Sequence, residues 1–192
     1  MGRSACRPLG RDARRCDCRS DGRRSNGACH GVSVSDLAEE ILRKAKASGL
    51  KITCAESCTG GMISAAITDV AGSSAIFEHG FVTYSNGAKQ SMLGVRQKTL
   101  ADHGAVSEPV ARQMAKGAMQ QAQADIALSV SGIAGPGGSE FKPEGRVCFA
   151  LASAQGTQSE TKDFGALGRT AVRKAALNHA LNLILVHLNL AH

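Results

Sequence analysis

Aromatic side chains are scarce in this chain. Its 192 residues include no Trp, one Tyr and five Phe, so aromatics make up only 3% of the composition. Proteins that bind single-stranded nucleic acid commonly stack bases on aromatic side chains, and this chain has few to offer. Long apolar runs are missing too, since no stretch reaches the roughly 20 residues of a membrane-spanning helix. We therefore expect a soluble, cytoplasmic protein without a membrane or nucleic-acid partner.

Patterns that bind metal ions are also missing. The sequence has no H-E-x-x-H motif, no paired C-x2-C spacing and no carboxylate cluster in its glycine-bearing loops. Its seven cysteines form an odd total, and no signal peptide precedes them. A secreted disulfide scaffold is therefore not expected. The prediction is a protein with no metal and no cofactor, suited to metal-free hydrolysis or to plain binding.

Positive charge is concentrated at the amino-terminal end. Residues 1–33 hold eight Arg against three Asp, whereas the rest of the chain holds 15 Lys and Arg against 13 Asp and Glu. These first 33 residues have almost no large apolar side chains, so burial cannot offset the entropy of ordering them. We predict a disordered Arg- and Cys-rich tail over 1–33. It is either a nucleic-acid-binding arm or a dispensable extension, and the lack of interleaved aromatics favours the extension.

Helical and strand-like patterns alternate after the tail. Helical spacing is found in "SVSDLAEEILRKAKASG", "GGMISAAITDVAG", "NGAKQSMLGV", "SEPVARQMAKGAMQQAQA" and "GRTAVRKAALNHALNLILVHLNL", and strand-like runs in "LKITCAE", "AIFEHGFVTYS", "DIALSVSG" and "GRVCFALAS". Ser33 or Ser35 is placed to cap the first helix and Ser107 the fourth. This alternation predicts an α/β fold, a single compact layered α/β/α domain over residues 34–192.

Three polar loops that carry glycine follow predicted strands, at 56–61, 84–89 and 131–138. Ligands of open α/β sheets bind at the carboxyl ends of the strands, so these loops are expected to meet at one site. In the first loop, "ESCTGG", Ser57 can act as a nucleophile beside free main-chain N–H groups. Alternatively, Ser57 or Thr59 only caps the next helix. Cys58 is a rival nucleophile if His79 or His103 serves as its base, and otherwise a small buried filler.

The second and third loops add a base and anion-binding groups. Lys89 in "TYSNGAK" can be a general base if it is desolvated, or else a solvated lysine at a helix start. Tyr84 can relay a proton, position a substrate, or only border the core. The third loop, "SGIAGPGG", offers successive main-chain N–H groups to an anion, although it is neither a Walker loop nor G-x-G-x-x-G. Arg169 and Arg173, one helical turn apart, can clamp a phosphate or form a solvated basic face.

The segments "AESCTGG", "AGSSAIFEHGFVTYSNGAK", "HGAVSEPVARQMA" and "SVSGIAGPGG" occur together in this order. This combination resembles the CinA C-terminal domain family over about residues 34–190. The resemblance implies a compact α/β domain that hydrolyses the carboxamide of nicotinamide mononucleotide (NMN) to nicotinate mononucleotide and ammonia. It also implies that Ser57 is the nucleophile, Lys89 its base and Tyr84 an aid to proton transfer or orientation. Many relatives carry a further N-terminal nucleotide-pyrophosphatase domain, for which this chain is too short.

The resemblance also suggests how the substrate is held. Arg169 matches an arginine that would hold the phosphate, together with the glycine loop, and main-chain N–H groups around 58–60 would hold the oxyanion. Ser131 stands where many relatives are expected to have Thr. The expected substrate-binding residues are Thr59, Gly60, Ser131, Gly132, Gly135 and Arg169. Three other functions stay open, namely a Cys58-dependent amidase, an inactive nucleotide-binding or regulatory module, and a DNA-associated protein acting through the tail. The last helix completes the core or packs against a second subunit, which leaves a homo-oligomer open.

Overall fold

A twisted sheet runs through the computed structural model, which describes residues 33–139 and 141–190. Its five strands in this part of the chain are β1 Ile52–Glu56, β2 Phe77–Val82, β3 Ile126–Gly132, β4 Arg146–Ser153 and β5 Gly156–Asp163, in the order β2-β1-β3-β4-β5. Strand β1 is parallel to β2 and β3, while β4 pairs antiparallel with β3 and with β5. The predicted tail over 1–33 lies outside the described residues, apart from Ser33.

Helices cover both faces of the sheet. They are α1 Val34–Ala47, α2 Met62–Thr68, α3 Asn86–Leu93, α4 Gln97–His103, α5 Glu108–Ala122 and α6 Arg169–Leu190. Successive strand residues point to opposite faces, so Ile126 and Leu128 pack with α1, α2 and α6, while Ala127 between them packs with α3, α4 and α5. The predicted α/β/α layering is confirmed. None of the described helices is both long and apolar enough to cross a bilayer.

The ends of two helices test the predicted caps. Ser33 caps α1, because its hydroxyl accepts the Asp36 N–H at 3.1 Å while the Asp36 carboxylate accepts the Ser33 N–H at 3.0 Å. Ser107 occupies the N-cap position of α5, but its hydroxyl donates to the Gly104 carbonyl at 2.8 Å and makes no cap bond. The predicted side-chain cap by Ser107 is therefore wrong.

The three glycine-bearing loops do meet at one edge of the sheet. Because β1, β2 and β3 are mutually parallel, their carboxyl ends lie on the same side. The antiparallel β4 begins at that side too, where Val147 pairs with Gly132 at the end of β3. The residues that follow β1, β2 and β3, together with the start of α6, surround the candidate site described next.

Candidate active site

A buried lysine contacts the serine that follows β1. The Ser57 N–H donates to the Val130 carbonyl at 3.0 Å, which ties the start of the turn to β3. Lys89 lies in α3, whose first turn is capped by the Ser85 hydroxyl. The Lys89 Nζ lies 3.1 Å from the Ser57 Oγ and 2.8 Å from the Thr83 carbonyl oxygen. The two residues stand 32 positions apart in the chain.

The surroundings of Lys89 make the charged form of its amine less favourable than it is in water. Only 1% of the residue is exposed, and within the described ranges no carboxylate oxygen lies within 4.0 Å of its amine. Burial lowers the pKa of the Lys89 amine, because removing water penalises the charged form. The alternative of a solvated lysine at a helix start is therefore wrong.

Glu56, the last residue of β1, holds the start of α2. It is fully buried, and its carboxylate accepts the N–H groups of Gly61, Ile63 and Ser64 at 2.8–3.1 Å, plus the Ser64 hydroxyl at 2.7 Å. A carboxylate at this position satisfies the unpaired donors of a helix N-terminus and complements its dipole. Neither Ser57 nor Thr59 caps α2, so that alternative is wrong. Sequence reasoning missed Glu56, although an acidic residue ending a buried strand was a visible signal.

The turn from Ser57 to Gly60 leaves few main-chain donors free. The Gly60 N–H donates to the Ser57 carbonyl at 3.1 Å, and Gly61 is engaged by Glu56. Both glycines have positive φ, 59° and 94°, which L side chains rarely adopt. Among the described residues, the N–H groups of Cys58 and Thr59 donate to no backbone acceptor. The expected oxyanion donors around 58–60 are thereby reduced to these two.

Arg169, the first residue of α6, joins the second and third loops. Its Nη2 donates to the Tyr84 hydroxyl at 2.8 Å and its Nη1 to the Gly135 carbonyl at 3.1 Å. Glu144 supports the same region, because its carboxylate accepts the N–H groups of Gly137 and Gly168. Arg169 thus sits at the mouth of the site with its guanidinium held from two sides.

These groups surround a cleft of about 220 Å³. It is lined by Ser57, Cys58, Tyr84, Asn86, Lys89, Ala105, Val106, Ser131, Gly132, Ala134 and Arg169. Asn86 lies in the predicted loop 84–89 and the 105–106 segment in the motif "HGAVSEPVARQMA", but sequence reasoning assigned neither of them a place in the site. All three expected catalytic residues line the cleft, as do Ser131, Gly132 and Arg169.

Three of the expected binding residues do not line this cleft. Thr59 is fully buried beneath the turn, Gly60 is exposed, and Gly135 takes part through the carbonyl that holds Arg169. Ser131 is 1% exposed, and its hydroxyl donates to the Ala105 carbonyl at 2.7 Å. In this structure Ser131 therefore fastens the cleft wall formed by the 105–106 segment.

Cys58 has the environment of an inert thiol. It is 5% exposed, and the pKa of its thiol is raised to about 11, with burial as the largest cause. The two proposed bases are elsewhere, since His79 stacks on Phe81 in β2 and His103 ends α4. Neither histidine hydrogen-bonds to Cys58 in the described part of the chain. A cysteine nucleophile needs an accessible thiolate, so this environment argues against the Cys58 amidase.

Comparison with known proteins identifies the family of this chain. A sequence model of the CinA C-terminal domain matches residues 34–188. Nicotinamide-nucleotide amidohydrolase PncC of Escherichia coli (strain K12) is 55% identical over 152 residues, which is 79% of this chain and 92% of that relative. The protein of the same name from Enterobacter agglomerans is 52% identical over 153 residues, 79% of this chain and 93% of that relative.

Solved structures of related proteins have the same fold as this chain. The competence/damage inducible protein CihA from Agrobacterium tumefaciens is 46% identical and matches with a TM-score of 0.78, over 81% of this chain and 95% of the other. A CinA-superfamily protein from Enterobacter cloacae matches with a TM-score of 0.80 at 33% identity, over 87% of this chain and 99% of the other. Because the family model matches residues 34–188 and the Escherichia coli relative is 55% identical, this chain belongs to the CinA C-terminal domain family.

Proposed function

We propose that this protein hydrolyses the carboxamide of NMN to nicotinate mononucleotide and ammonia, with Ser57 as nucleophile and Lys89 as its base. The substrate class is suggested by the relatives named nicotinamide-nucleotide amidohydrolase. The observation that carries the mechanism is the buried 3.1 Å contact between the Lys89 Nζ and the Ser57 Oγ. A serine hydroxyl is a weak nucleophile unless a neighbouring group accepts its proton.

The contacts of Lys89 suit that task. A neutral amine can still donate one N–H to the Thr83 carbonyl, and this bond directs its lone pair toward Ser57. As the Ser57 oxygen attacks the amide carbon, Lys89 takes the serine proton and then delivers it to the departing ammonia. Water repeats the sequence on the acyl-enzyme and releases the acid. No titratable group beyond Lys89 is needed for these transfers.

The other groups of the cleft activate the carboxamide, which is a poor electrophile, and bind the phosphate of the substrate. The N–H groups of Cys58 and Thr59 stabilise the oxygen that becomes negative in the tetrahedral intermediate. Arg169 holds the phosphate through a charge-assisted, bidentate contact. Binding energy from that phosphate orients the carboxamide over Ser57, so a distant contact accelerates the reaction. The pyridinium charge of the substrate withdraws electrons from the carboxamide and eases the attack.

Ammonia release from NMN tests the proposal. We expect activity of the wild-type protein in the presence of EDTA, and a loss of at least about 1,000-fold in Ser57→Ala and in Lys89→Met, because each removes half of the nucleophile–base pair. Lys98→Met is the matched control, since Lys98 is an exposed lysine on α4 paired with Asp102. Full activity in Ser57→Ala would overturn the mechanism. Tight NMN binding without ammonia release by the wild type would instead favour an inactive binding module.

A further inference from the structure

Arg173 and Arg169 lie one turn apart on α6 but face different partners. Arg169 lines the cleft, whereas Arg173 is not among the cleft residues. The Arg173 Nη2 donates to the Thr59 carbonyl at 2.8 Å. A β-carbon added at Gly60 would lie 3.4 Å from the same nitrogen, so the guanidinium packs directly against the turn. The expected clamp of two arginines on one phosphate is not what this geometry favours.

No ion pair with a described residue neutralises the charge of Arg173. No carboxylate lies within 4.0 Å of it in the described part of the chain. Its Nε is buried and, among these residues, has no hydrogen-bond partner. A half-buried guanidinium in this situation is costly to keep. The hydrogen bond described for Arg173 is the one to the Thr59 carbonyl. That carbonyl belongs to the turn that carries the proposed nucleophile Ser57.

The centre of the turn has little support besides Arg173, since the Thr59 carbonyl accepts one other described bond, from the Met62 N–H at 3.4 Å. Its start is held by the Ser57 N–H on Val130, and its end by the Gly60 N–H on the Ser57 carbonyl. Between these points, the Thr59 side chain offers little support, because its hydroxyl is buried with no described hydrogen-bond partner. Arg173 does not line the cleft, and its hydrogen bond fixes the Thr59 carbonyl. The N–H groups of Cys58 and Thr59 are then kept in place beside Ser57.

We infer that Arg173 is a positioning residue that orients the Ser57–Gly60 turn and its oxyanion donors, and is not a second ligand of the substrate phosphate. This inference rests on the proposed function, because it assumes that Ser57 is the nucleophile. It divides two arginines of one helix into two roles, with Arg169 acting on substrate binding and Arg173 on the chemical step.

Steady-state kinetics on NMN separates the two roles. We expect Arg173→Met to lower kcat about 30-fold with KM within about twofold, as for a lost charge-assisted hydrogen bond that acts in the transition state. Arg173→Lys keeps the charge and one donor, so it should recover most of the rate. Arg169→Met should chiefly raise KM. The control is Lys174→Met, an exposed lysine of the same helix, and thermal unfolding checks that each variant is folded.

A second readout does not depend on NMN. Phenylmethanesulfonyl fluoride is uncharged and carries no phosphate; the Ser57 oxygen displaces its fluoride, forming an O–S bond while Lys89 takes the serine proton. Labelling, followed as a mass increase that is absent in Ser57→Ala, should slow about tenfold or more in Arg173→Met and stay at the wild-type rate in the control Lys174→Met.

The outcomes separate the inference from the proposed function. If the wild type labels but Arg173→Met labels equally fast, or if Arg173→Met raises KM and spares kcat, Arg173 does not position the turn. Failure of Arg173→Lys to recover any rate would also contradict the inference. If the wild type neither labels at Ser57 nor releases ammonia, the proposed nucleophile is wrong and the role of Arg173 falls with it.

Discussion

The Arg169 guanidinium donates a hydrogen bond to the Tyr84 hydroxyl at 2.8 Å, although the two residues lie 85 positions apart. Because Tyr84 accepts this bond, its own hydroxyl proton remains free for a substrate or another acceptor. Tyr84 is 60% exposed and lines the cleft. The pair therefore links the residue expected to hold the phosphate to the only tyrosine of the chain.

A double-mutant cycle measures this link. We expect Tyr84→Phe to lower kcat/KM for NMN about tenfold, since it removes one hydrogen bond to a charged group and one hydroxyl from the cleft. Combined with Arg169→Met, the loss should fall short of the sum of the single losses by about 1 kcal/mol. Strictly additive effects would show that the two side chains act independently on the reaction.

The pH dependence of the rate tests whether Lys89 is the base. Burial lowers the pKa of this amine, and only its neutral form can accept the Ser57 proton. We expect kcat/KM to rise with pH through an apparent pKa below that of an ordinary lysine and then to level off. Initial rates of ammonia release between about pH 6 and pH 10 provide the profile. A profile that falls as the pH rises would rule out a neutral lysine as the base.

The lowered pKa of Lys89 also predicts how the stability of the protein depends on pH. Between its folded pKa and the higher pKa of the unfolded chain, Lys89 binds more protons in the unfolded state, so the free energy of unfolding rises with pH. This contribution is complete above the unfolded pKa and is lost as the pH falls through the folded pKa. In Lys89→Met it is absent. We therefore expect Lys89→Met to be no less stable than wild type at pH 7, and its relative advantage to shrink as the pH increases.

Urea unfolding at several pH values measures this difference. Lys98→Met again serves as the control, because 85% of the Lys98 side chain is exposed and no comparable pH dependence is expected. A Lys89→Met protein that is less stable than wild type by more than about 2 kcal/mol at pH 7 would mean that the contacts of the amine outweigh its desolvation.

Glu56 should be the most sensitive polar position of the fold. Its carboxylate accepts four hydrogen bonds from the first turn of α2 and the Ser64 side chain. Glu56→Gln keeps the shape but turns an NH₂ group toward N–H donors, so we expect a loss of roughly 3 kcal/mol in the free energy of unfolding.

Ser64→Ala provides the graded comparison for Glu56. It removes only the 2.7 Å hydroxyl bond to the carboxylate and should cost about 1 kcal/mol. Denaturant titrations of the two variants give both numbers. Equal stability of Glu56→Gln and wild type would show that the negative charge is dispensable at the start of α2.

Cys58 should be dispensable for the reaction. With the pKa of its thiol raised to about 11 by burial, only about one molecule in ten thousand carries the thiolate at pH 7. Cys58→Ala should keep kcat within about threefold of wild type, because only a small buried side chain is lost. Iodoacetamide should modify Cys58 slowly in the folded protein. Rapid alkylation with loss of activity, prevented by NMN, would indicate that Cys58 is the nucleophile.

Two elements show why sequence patterns stop short of the full fold. Strand β5, "GTQSETKD", is too polar to be recognised, and it forms because all of its residues pair with β4, with Arg146 and Asp163 joined at 2.8 Å. Helix α4, "QKTLADH", buries only Leu100, so its apolar pattern is too sparse to predict. Both elements depend on partners that lie elsewhere in the chain.

Local periodicity did determine the alternation of helices and strands, the buried runs of β1 and β3, and the three loops that follow strands. Those signals are read within a few residues of one another, so they are present in the sequence itself. The sequence motifs also indicated the family to which the chain belongs.

What only the tertiary structure decided is which groups meet. The contact of Lys89 with Ser57, the exclusion of water from that amine, the capture of the α2 donors by Glu56 and the direction of Arg173 all follow from the parallel pairing of β1 with β2 and β3 and from the packing of α3 and α6. Burial and hydrogen bonding between distant segments set the chemistry of a side chain, and neither can be read from its neighbours in the chain.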